Sequence, residues 1–241
     1  MTLVLLHPLG ADHRVWDPVL PLLGEDVMAV DMPGFGAAPP LAGESVTPVE
    51  LATALREQLP EEFDVAGISL GGWVALEMAL AGWARSVTAI APAGLWSAPL
   101  APKRSVARLA ARGLAPVLPR VLRSERGRRG ALLGTVAHPE RVPYEDALRL
   151  VRAYADAPGF EAANRGMRAG RFEGLADIEV PVTLAWCSDD RLVSRPSVVP
   201  ESAREFYLDG CGHVPTWDDP SAVARVLLAG TASTPAVRRV K

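Results

Sequence analysis

The pattern Gly-x-Ser-x-Gly at residues 67–71 is the feature that most limits how this chain of 241 residues can fold. An apolar segment at residues 63–66 precedes the pattern, and a mostly apolar run at residues 73–80 follows it. In this context the pattern indicates a sharp turn from a strand into a helix, because glycine lacks the Cβ that would meet the neighbouring strand and helix. The sequence therefore predicts a strand, a strained turn that exposes the hydroxyl of Ser69, and a buried helix.

Strand-like and helix-like segments alternate along the rest of the chain, which is typical of an α/β protein with a parallel sheet. The strand candidates are residues 3–6, 27–30, 86–91, 182–186 and 205–208, and the helix candidates are residues 15–23, 48–59 and 220–228. One helix start is clearly marked, with Thr47 as N-cap, Pro48 at the first helical position and Glu50 closing a capping box. An apolar content of 49% is sufficient to cover such a sheet on both faces.

A nucleophilic serine needs a base and an acid, and on this architecture they follow it in the order carboxylate, histidine. Of the four histidines, only His213 lies beyond Ser69 and just after a strand candidate. The carboxylate is expected from Asp189 or Asp190, which also follow a strand candidate. We assign Asp190 to orient the imidazole, a choice that rests on the pattern of a known family more than on physics, and keep Asp189 as the alternative. The N–H of Leu70, at the start of the helix, is placed to stabilise an oxyanion.

Four separated motifs resemble the α/β-hydrolase superfamily in its order and in the matching elements. They are the segment His7-Pro8-Leu9-Gly10, the turn Asp31-Met32-Pro33-Gly34-Phe35-Gly36, the Gly-x-Ser-x-Gly elbow and the Asp190/His213 pair. The resemblance implies that the N–H of Leu9 is the second oxyanion donor and that the turn at 31–36 is structural. Proline replaces a glycine of the family's first motif, and Cys187 stands where a glycine is usual. Residues 9–18 are also similar to the 3-oxoadipate enol-lactonase branch, which keeps lactones among the expected substrates.

The family usually has two antiparallel strands before its oxyanion segment, which in this chain begins at residue 7. We therefore expect an α/β-hydrolase fold whose mostly parallel sheet has about six strands and lacks the N-terminal antiparallel pair. The edge that this leaves exposed needs a loop or a partner chain to cover it. Both a monomer and a homodimer remain open.

A long segment rich in arginine, alanine and leucine separates two of the strand candidates. We interpret residues 95–175 as a helical cap inserted into a hydrolase core of residues 1–94 and 176–241, with helices at 106–118, 143–155 and 160–169. Caps of this kind roof the serine and shape the substrate cavity. Three aromatic residues are candidates for the pocket lining, although core packing explains them equally well. They are Phe35, Trp96 and Trp217.

The segment 97–170 carries about eight more basic than acidic side chains. Solvated helix faces, with arginine stems covering apolar surface, are one explanation of this excess. A second places one or two arginines of residues 120–129 in the cavity, where they bind a substrate carboxylate.

Composition and motif absences exclude several classes of protein. The formal net charge of −3 gives no general attraction to nucleic acid or to an acidic membrane, so we expect neither as a partner. Glu77 and Arg85 interrupt the best apolar run and no export signal is recognisable, so a cytoplasmic protein is expected. Cys187 and Cys211 are expected as buried free thiols. No Cys-x-x-Cys or His-x-x-x-His pair occurs, and we expect neither a metal nor a cofactor.

The leading hypothesis is hydrolysis of a small carboxylic ester or lactone through an acyl-enzyme on Ser69. One alternative is cleavage of a carbon–carbon bond in a β-diketone-like substrate by the same triad, which the resemblance also implies. An alternative from another class is a non-catalytic ligand-binding protein on the same fold. The other histidines are expected outside proton transfer, with His7 bound to loop backbone and with His13 and His138 at the surface.

Overall fold

The computed structural model describes residues 1–102 and 105–231 of the chain. Six parallel strands form one sheet in the order β2-β1-β3-β4-β5-β6, which confirms the expected six-stranded α/β-hydrolase fold. The strands are β1 (Thr2–Leu6), β2 (Val27–Val30), β3 (Phe63–Ile68), β4 (Val87–Ile90), β5 (Val182–Cys187) and β6 (Arg204–Leu208). The helices are α1 (Pro48–Arg56), α2 (Leu70–Leu80), α3 (Val106–Gly113), α4 (Leu118–Leu122), α5 (Glu125–Ala131), α6 (Tyr144–Asp156), α7 (Phe160–Ala169) and α8 (Pro220–Gly230).

The strand order brings the loops that follow β1, β3, β5 and β6, which carry the predicted site residues, to one edge of the sheet. The chain runs from β1 outward to β2 and then returns to β3 on the other side of β1, which creates a crevice at the carboxyl ends of the strands. Leu6 is paired with Gly67, so the segment after β1 and the elbow after β3 leave the sheet side by side. Cys187 is paired with Leu208, so the loops that follow β5 and β6 are also neighbours.

Both faces of the sheet are buried. Val4 and Leu6 of β1 belong to one apolar cluster with residues of α1 and α2, whereas Leu3 and Leu5 belong to a second cluster with residues of α8. This division follows from the two-residue period of a strand, in which successive side chains point to opposite faces. No helix in the described part of the chain combines the length and the apolar content that crossing a membrane requires.

Proline accounts for the main differences between the expected and the observed helices. The helix expected at residues 15–23 is replaced by two short 3-10 helices, His13–Trp16 and Leu20–Leu22, because Pro18 and Pro21 lack the backbone N–H that an α-helix needs. Likewise, the helix expected at 106–118 is interrupted. The observed α3 ends at Gly113, before Pro116, and a separate helix, α4, begins at Leu118 with Pro119 in its first turn. The capping box of α1 is present, with Thr47 and Glu50 each accepting the other's backbone N–H.

Five helices, α3 to α7, lie between β4 and β5. Their buried side chains are shared between the two clusters that cover the sheet. Phe160 and Met167 of α7 join the α1/α2 face, and Leu122 of α4 and Val151 of α6 join the α8 face. The inserted helices are therefore built onto both layers of the core. The last part of the expected core, residues 232–241, lies outside the described residues.

Candidate active site

Ser69 occupies a strained turn between β3 and α2. Its backbone has φ 56° and ψ −116°, a left-handed region that non-glycine residues rarely adopt. The surrounding backbone holds it there, because the Ser69 N–H donates to the Ile90 carbonyl at 3.0 Å and the Ser69 carbonyl accepts from the Ala93 N–H at 3.0 Å. A strained residue that its neighbours fix in this way is a candidate for function.

The elbow depends on two glycines that other backbone atoms approach closely. A Cβ on Gly67 would lie 2.2 Å from the carbonyl oxygen of Gly71. A Cβ on Gly71 would lie 2.4 Å from the Leu6 carbonyl oxygen and 2.6 Å from that of His7. The first turn of α2 is therefore packed directly against the end of β1, which brings the helix N-terminus beside the segment that begins at His7.

Two backbone N–H groups near this contact are left open. Leu70 is the first residue of α2, where an N–H has no partner within the helix. Neither this N–H nor that of Leu9 donates a hydrogen bond to another residue within the described ranges. Open donors at a helix N-terminus and on an adjacent loop are the arrangement that an oxyanion requires.

His7 is fully buried and bonded to the loop backbone, with Nε2 accepting the Met32 N–H at 3.0 Å and Nδ1 at 2.9 Å from the Pro8 carbonyl oxygen. These contacts fit a neutral ring with its proton on Nδ1. Burial lowers the pKa of His7 below its ordinary value, which favours the same neutral form. His7 therefore shapes the oxyanion segment.

His213 and Asp190 form a buried pair. His213 Nδ1 lies 2.8 Å from Asp190 Oδ2, while Asp190 Oδ1 accepts the N–H groups of Leu192 at 2.7 Å and Val193 at 3.0 Å. Burial by itself would raise the pKa of the Asp190 carboxyl, but the imidazole and the two N–H groups hold that pKa below its ordinary value. A carboxylate on Nδ1 fixes the tautomer that leaves Nε2 as the proton acceptor.

The rival carboxylate has a different environment. Asp189 is exposed, and its backbone N–H donates to the Cys211 carbonyl at 2.9 Å. Of the two neighbouring aspartates, it is Asp190 that pairs with the imidazole.

Ser69 and His213 are not joined by a hydrogen bond in this structure. Both residues are buried, with exposed fractions of 7% and 5%, but no hydrogen bond joins Ser69 Oγ to His213 Nε2 among the described residues. In ligand-free active sites this bond is often long and tightens only when substrate is bound. The structure thus pairs two of the three expected triad members and places the third at the same edge of the sheet, after β3.

The three aromatic residues considered for the pocket occupy different positions. Phe35 is fully buried and packs edge-on against His7, with ring centroids 5.2 Å apart. Trp96 packs edge-on against Trp73 of α2, with centroids 5.7 Å apart. Trp217 follows His213 and donates from Nε1 to Asp146 on α6 at 3.2 Å. Two open clefts of about 440 Å³ and 450 Å³ lie elsewhere, and neither Ser69 nor His213 lines them.

The arginines at 120–129 are engaged with protein groups or exposed to solvent. Arg128 donates to the carbonyls of Leu122 and Arg123, and Arg129 is 3.2 Å from Glu140. Arg120 and Arg126 are exposed. These positions favour the interpretation of surface arginines over that of a cavity-facing pair.

Among the described residues of the insertion, the buried arginine is Arg108, which was not among the residues predicted from the sequence. It donates to the carbonyls of Tyr154 and Ala157 and to the Glu161 carboxylate, and so ties α3 to the corner between α6 and α7. The same corner packs on the oxyanion segment, because a Cβ on Gly10 would lie 2.6 Å from the Tyr154 ring. An arginine on a short helix with exposed neighbours has no sequence signal that predicts burial.

The cysteines are poor nucleophiles. Cys187 and Cys211 are free, and burial raises the pKa of both thiols, that of Cys211 to about 12. Since the thiolate is the reactive form, both are inert near neutral pH. No group of three His, Cys, Asp or Glu side chains that would hold a metal ion occurs within residues 1–102 and 105–231.

A parallel six-stranded sheet, a serine elbow and a buried Asp–His pair at the same sheet edge define an α/β-hydrolase. The model of the alpha/beta hydrolase family matches residues 3–226, so the chain belongs to this family of hydrolases. Epoxide hydrolase EphH of Mycobacterium tuberculosis is 33% identical over 196 residues, which is 73% of this chain and 91% of that protein.

Two further similarities are a short sequence match and a likeness of fold. A pimeloyl-(acyl-carrier protein) methyl ester esterase of Legionella pneumophila is 39% identical over 82 residues, so the match spans 33% of this chain and about a third, 32%, of that relative. The solved structure of a bacterial membrane phospholipase A covers 95% of this chain and 77% of its own, with a TM-score of 0.70 and 24% identity. At this identity the second likeness shows the fold alone.

Proposed function

We propose that this protein is a serine hydrolase that cleaves a small carboxylic ester or lactone through an acyl-enzyme. The observation that carries the proposal is the conformation of Ser69, which is held at φ 56° between β3 and the N-terminus of α2. A structural serine gains nothing from this strain, whereas a nucleophile needs the exposed position that the turn creates. Membership of a hydrolase family supports the same conclusion.

In the proposed reaction Ser69 Oγ attacks the carbonyl carbon as His213 Nε2 takes the hydroxyl proton. Asp190 stabilises the imidazolium, and the N–H groups of Leu9 and Leu70 donate to the oxyanion. When the tetrahedral intermediate collapses, His213 returns the proton to the alkoxide that leaves. Water then attacks the acyl-enzyme by the same steps, which releases the acid and restores Ser69. With a lactone, the alcohol stays attached to the acid in the product.

Hydrolysis of an epoxide is a second candidate, because a relative with this name is 33% identical. A carboxylate that opens an epoxide forms an ester, which water can hydrolyse. A serine hydroxyl would form an ether instead, and an oxyanion site does not assist the cleavage of an ether. Ser69 therefore favours acyl transfer. We also propose that the reaction needs no cofactor, that the substrate is a small molecule and that the protein acts in the cytoplasm.

A substrate panel tests the proposal. Purified protein is incubated with p-nitrophenyl esters of increasing acyl length, a γ-lactone series, a β-diketone and styrene oxide. We expect turnover of an ester or lactone, and we expect Ser69→Ala to lower it by about 10³-fold or more. Ser97→Ala, at an exposed serine, is the matched control and should retain full activity. Epoxide turnover that survives in Ser69→Ala would overturn the proposal, and turnover of the diketone alone would favour carbon–carbon hydrolysis.

A further inference from the structure

The turn that carries His213 is bonded to the inserted segment through one carboxylate. Asp218 Oδ2 accepts the N–H of Gly212 at 2.8 Å and that of Ala137 at 2.8 Å, and Oδ1 accepts the N–H of His138 at 2.9 Å. One donor is the residue directly before His213, and the other two belong to the insertion. Asp218 therefore joins two parts of the chain that are about 80 residues apart, as the separations of 81 and 80 residues show.

A second set of contacts fixes the other side of His213. The Val214 N–H donates to the Thr135 carbonyl at 2.8 Å. Gly212 is packed so tightly that a Cβ there would lie 2.6 Å from the Ala137 nitrogen. The residues on both sides of His213 are thus held against the short segment 135–138. Asp218 accepts three of the hydrogen bonds that join this segment to the turn of His213.

A carboxylate suits this position because it is acceptor-only, with two oxygens that can serve several N–H groups at once. Hydrogen bonds from N–H groups to an ionised acceptor are also stronger than neutral ones. Among the described residues, Asp218 forms no salt bridge, so its charge is used by backbone donors alone. A proton-transfer group must be held within about 0.5 Å and 10–20° of its productive geometry.

We propose that Asp218 is a positioning residue for His213: it fixes the turn at 212–218 against the insertion, so that the imidazole stays on Asp190 with Nε2 directed to Ser69. This inference rests on the proposed hydrolase function. It assigns the insertion a role in holding the proton-transfer group as well as any role in substrate binding.

The test compares Asp218→Asn with Asp219→Asn. An amide has one acceptor oxygen, and its NH2 group would face a backbone donor, so Asp218→Asn leaves at least one N–H unpaired. Asp219 is the N-cap of α8 and accepts the Ala222 N–H at 2.7 Å, a role that asparagine fills about as well as aspartate. The two variants therefore make the same chemical change at adjacent residues.

We expect Asp218→Asn to lower kcat for an ester substrate by about 10-fold with KM within about 2-fold, because a misplaced imidazole slows proton transfer without changing substrate contacts. In the ¹H NMR spectrum the signal of the His213 Nδ1–H should also move upfield, because a loosened contact with Asp190 weakens the hydrogen bond that this proton makes. Asp219→Asn should match the wild type in both. Asp218→Glu keeps two acceptor oxygens and should lie between the wild type and Asp218→Asn.

The NMR measurement needs no turnover, so it separates the two proposals. A wild type without hydrolysis would end the proposed function, while a shifted signal of the His213 Nδ1–H in Asp218→Asn would still support the role in positioning. If Asp218→Asn unfolds at a lower temperature but keeps the wild-type kcat and the wild-type signal of the His213 Nδ1–H, Asp218 is only structural and the inference is overturned. If Asp218→Asn does not fold, Asp218→Glu carries the same comparison with the same criteria.

Discussion

Replacement of Gly71 by alanine should impair the active site and moderately destabilise the protein. In the elbow, the added Cβ would lie 2.4 Å from the Leu6 carbonyl oxygen and 2.6 Å from that of His7. Contacts of a Cβ below 3.0 Å are essentially not observed, so the Leu6 oxygen must move by at least about 0.6 Å. Both oxygens belong to backbone, which cannot rotate away as a side chain can.

The expected change in stability combines two opposing effects. Alanine gains up to about 1 kcal/mol over glycine within a helix, and overpacking against rigid neighbours costs about 1–3 kcal/mol. The free energy of unfolding should therefore fall by about 0–3 kcal/mol. The His7 displacement is passed to the open N–H of Leu9, and a shift of this size at a catalytic donor can lower kcat/KM by about 10²-fold.

Gly130→Ala is the matched control, because Gly130 also lies in a helix, α5, but its added Cβ would meet nothing within 4 Å. It should raise the free energy of unfolding by about 0.5–1 kcal/mol and leave kcat/KM unchanged. Urea unfolding followed by circular dichroism measures the first quantity, and ester hydrolysis measures the second. A Gly71→Ala variant with kcat/KM within about 2-fold of wild type would refute the close packing between α2 and the oxyanion segment.

Three further predictions follow from buried charged and titratable groups. Asp190→Asn should lower kcat by about 10³- to 10⁴-fold and Asp189→Asn by less than about 3-fold, measured with the same ester. A larger loss in Asp189→Asn than in Asp190→Asn would show that Asp189 is the carboxylate of the triad. The free energy of unfolding should fall by up to about 1.4 kcal/mol per pH unit as pH drops below 6.5, because His7 binds a proton in the unfolded chain but not when it is buried in the fold. His7→Gln should lose this pH dependence in urea unfolding measured at several pH values. An unchanged slope in His7→Gln would show that another group causes it. Arg108→Lys should lower the free energy of unfolding by about 3 kcal/mol, because two carbonyls lose their donor. Arg120→Lys, at the surface, should change it by less than about 0.5 kcal/mol. Equal effects of the two variants in thermal unfolding would show that Arg108 does not tie the inserted helices together.

The elements with local signals were predictable from the sequence. The elbow, the six strands and the capping box at Thr47 each depend on residues within a few positions of one another, and each is present. The breaks at Pro18, Pro21 and Pro116 were also readable in principle, because proline removes a helix donor wherever it occurs. The short helices α4 and α5 were too brief for a periodic apolar pattern to identify.

The features that were not predictable depend on contacts between distant segments. Asp218 stands in the sequence Asp-Asp-Pro, where it is indistinguishable from the N-cap beside it, and its bonds reach 81 and 80 residues back along the chain. Arg108 is buried only because the α6–α7 corner presents its carbonyls there. Local residues do not separate Asp189 from Asp190, since both follow β5. The family pattern favours Asp190, and the fold shows that Asp190 meets His213.

Site-specific covalent labelling tests most directly whether Ser69 is the nucleophile. The protein is treated with a fluorophosphonate, digested and analysed by mass spectrometry, with Ser69→Ala and Ser97→Ala in parallel. We expect one adduct, on the peptide that contains Ser69, at the same level in Ser97→Ala and absent in Ser69→Ala. An adduct at another residue, or ester turnover by a protein that the reagent leaves unlabelled, would contradict the assignment of Ser69.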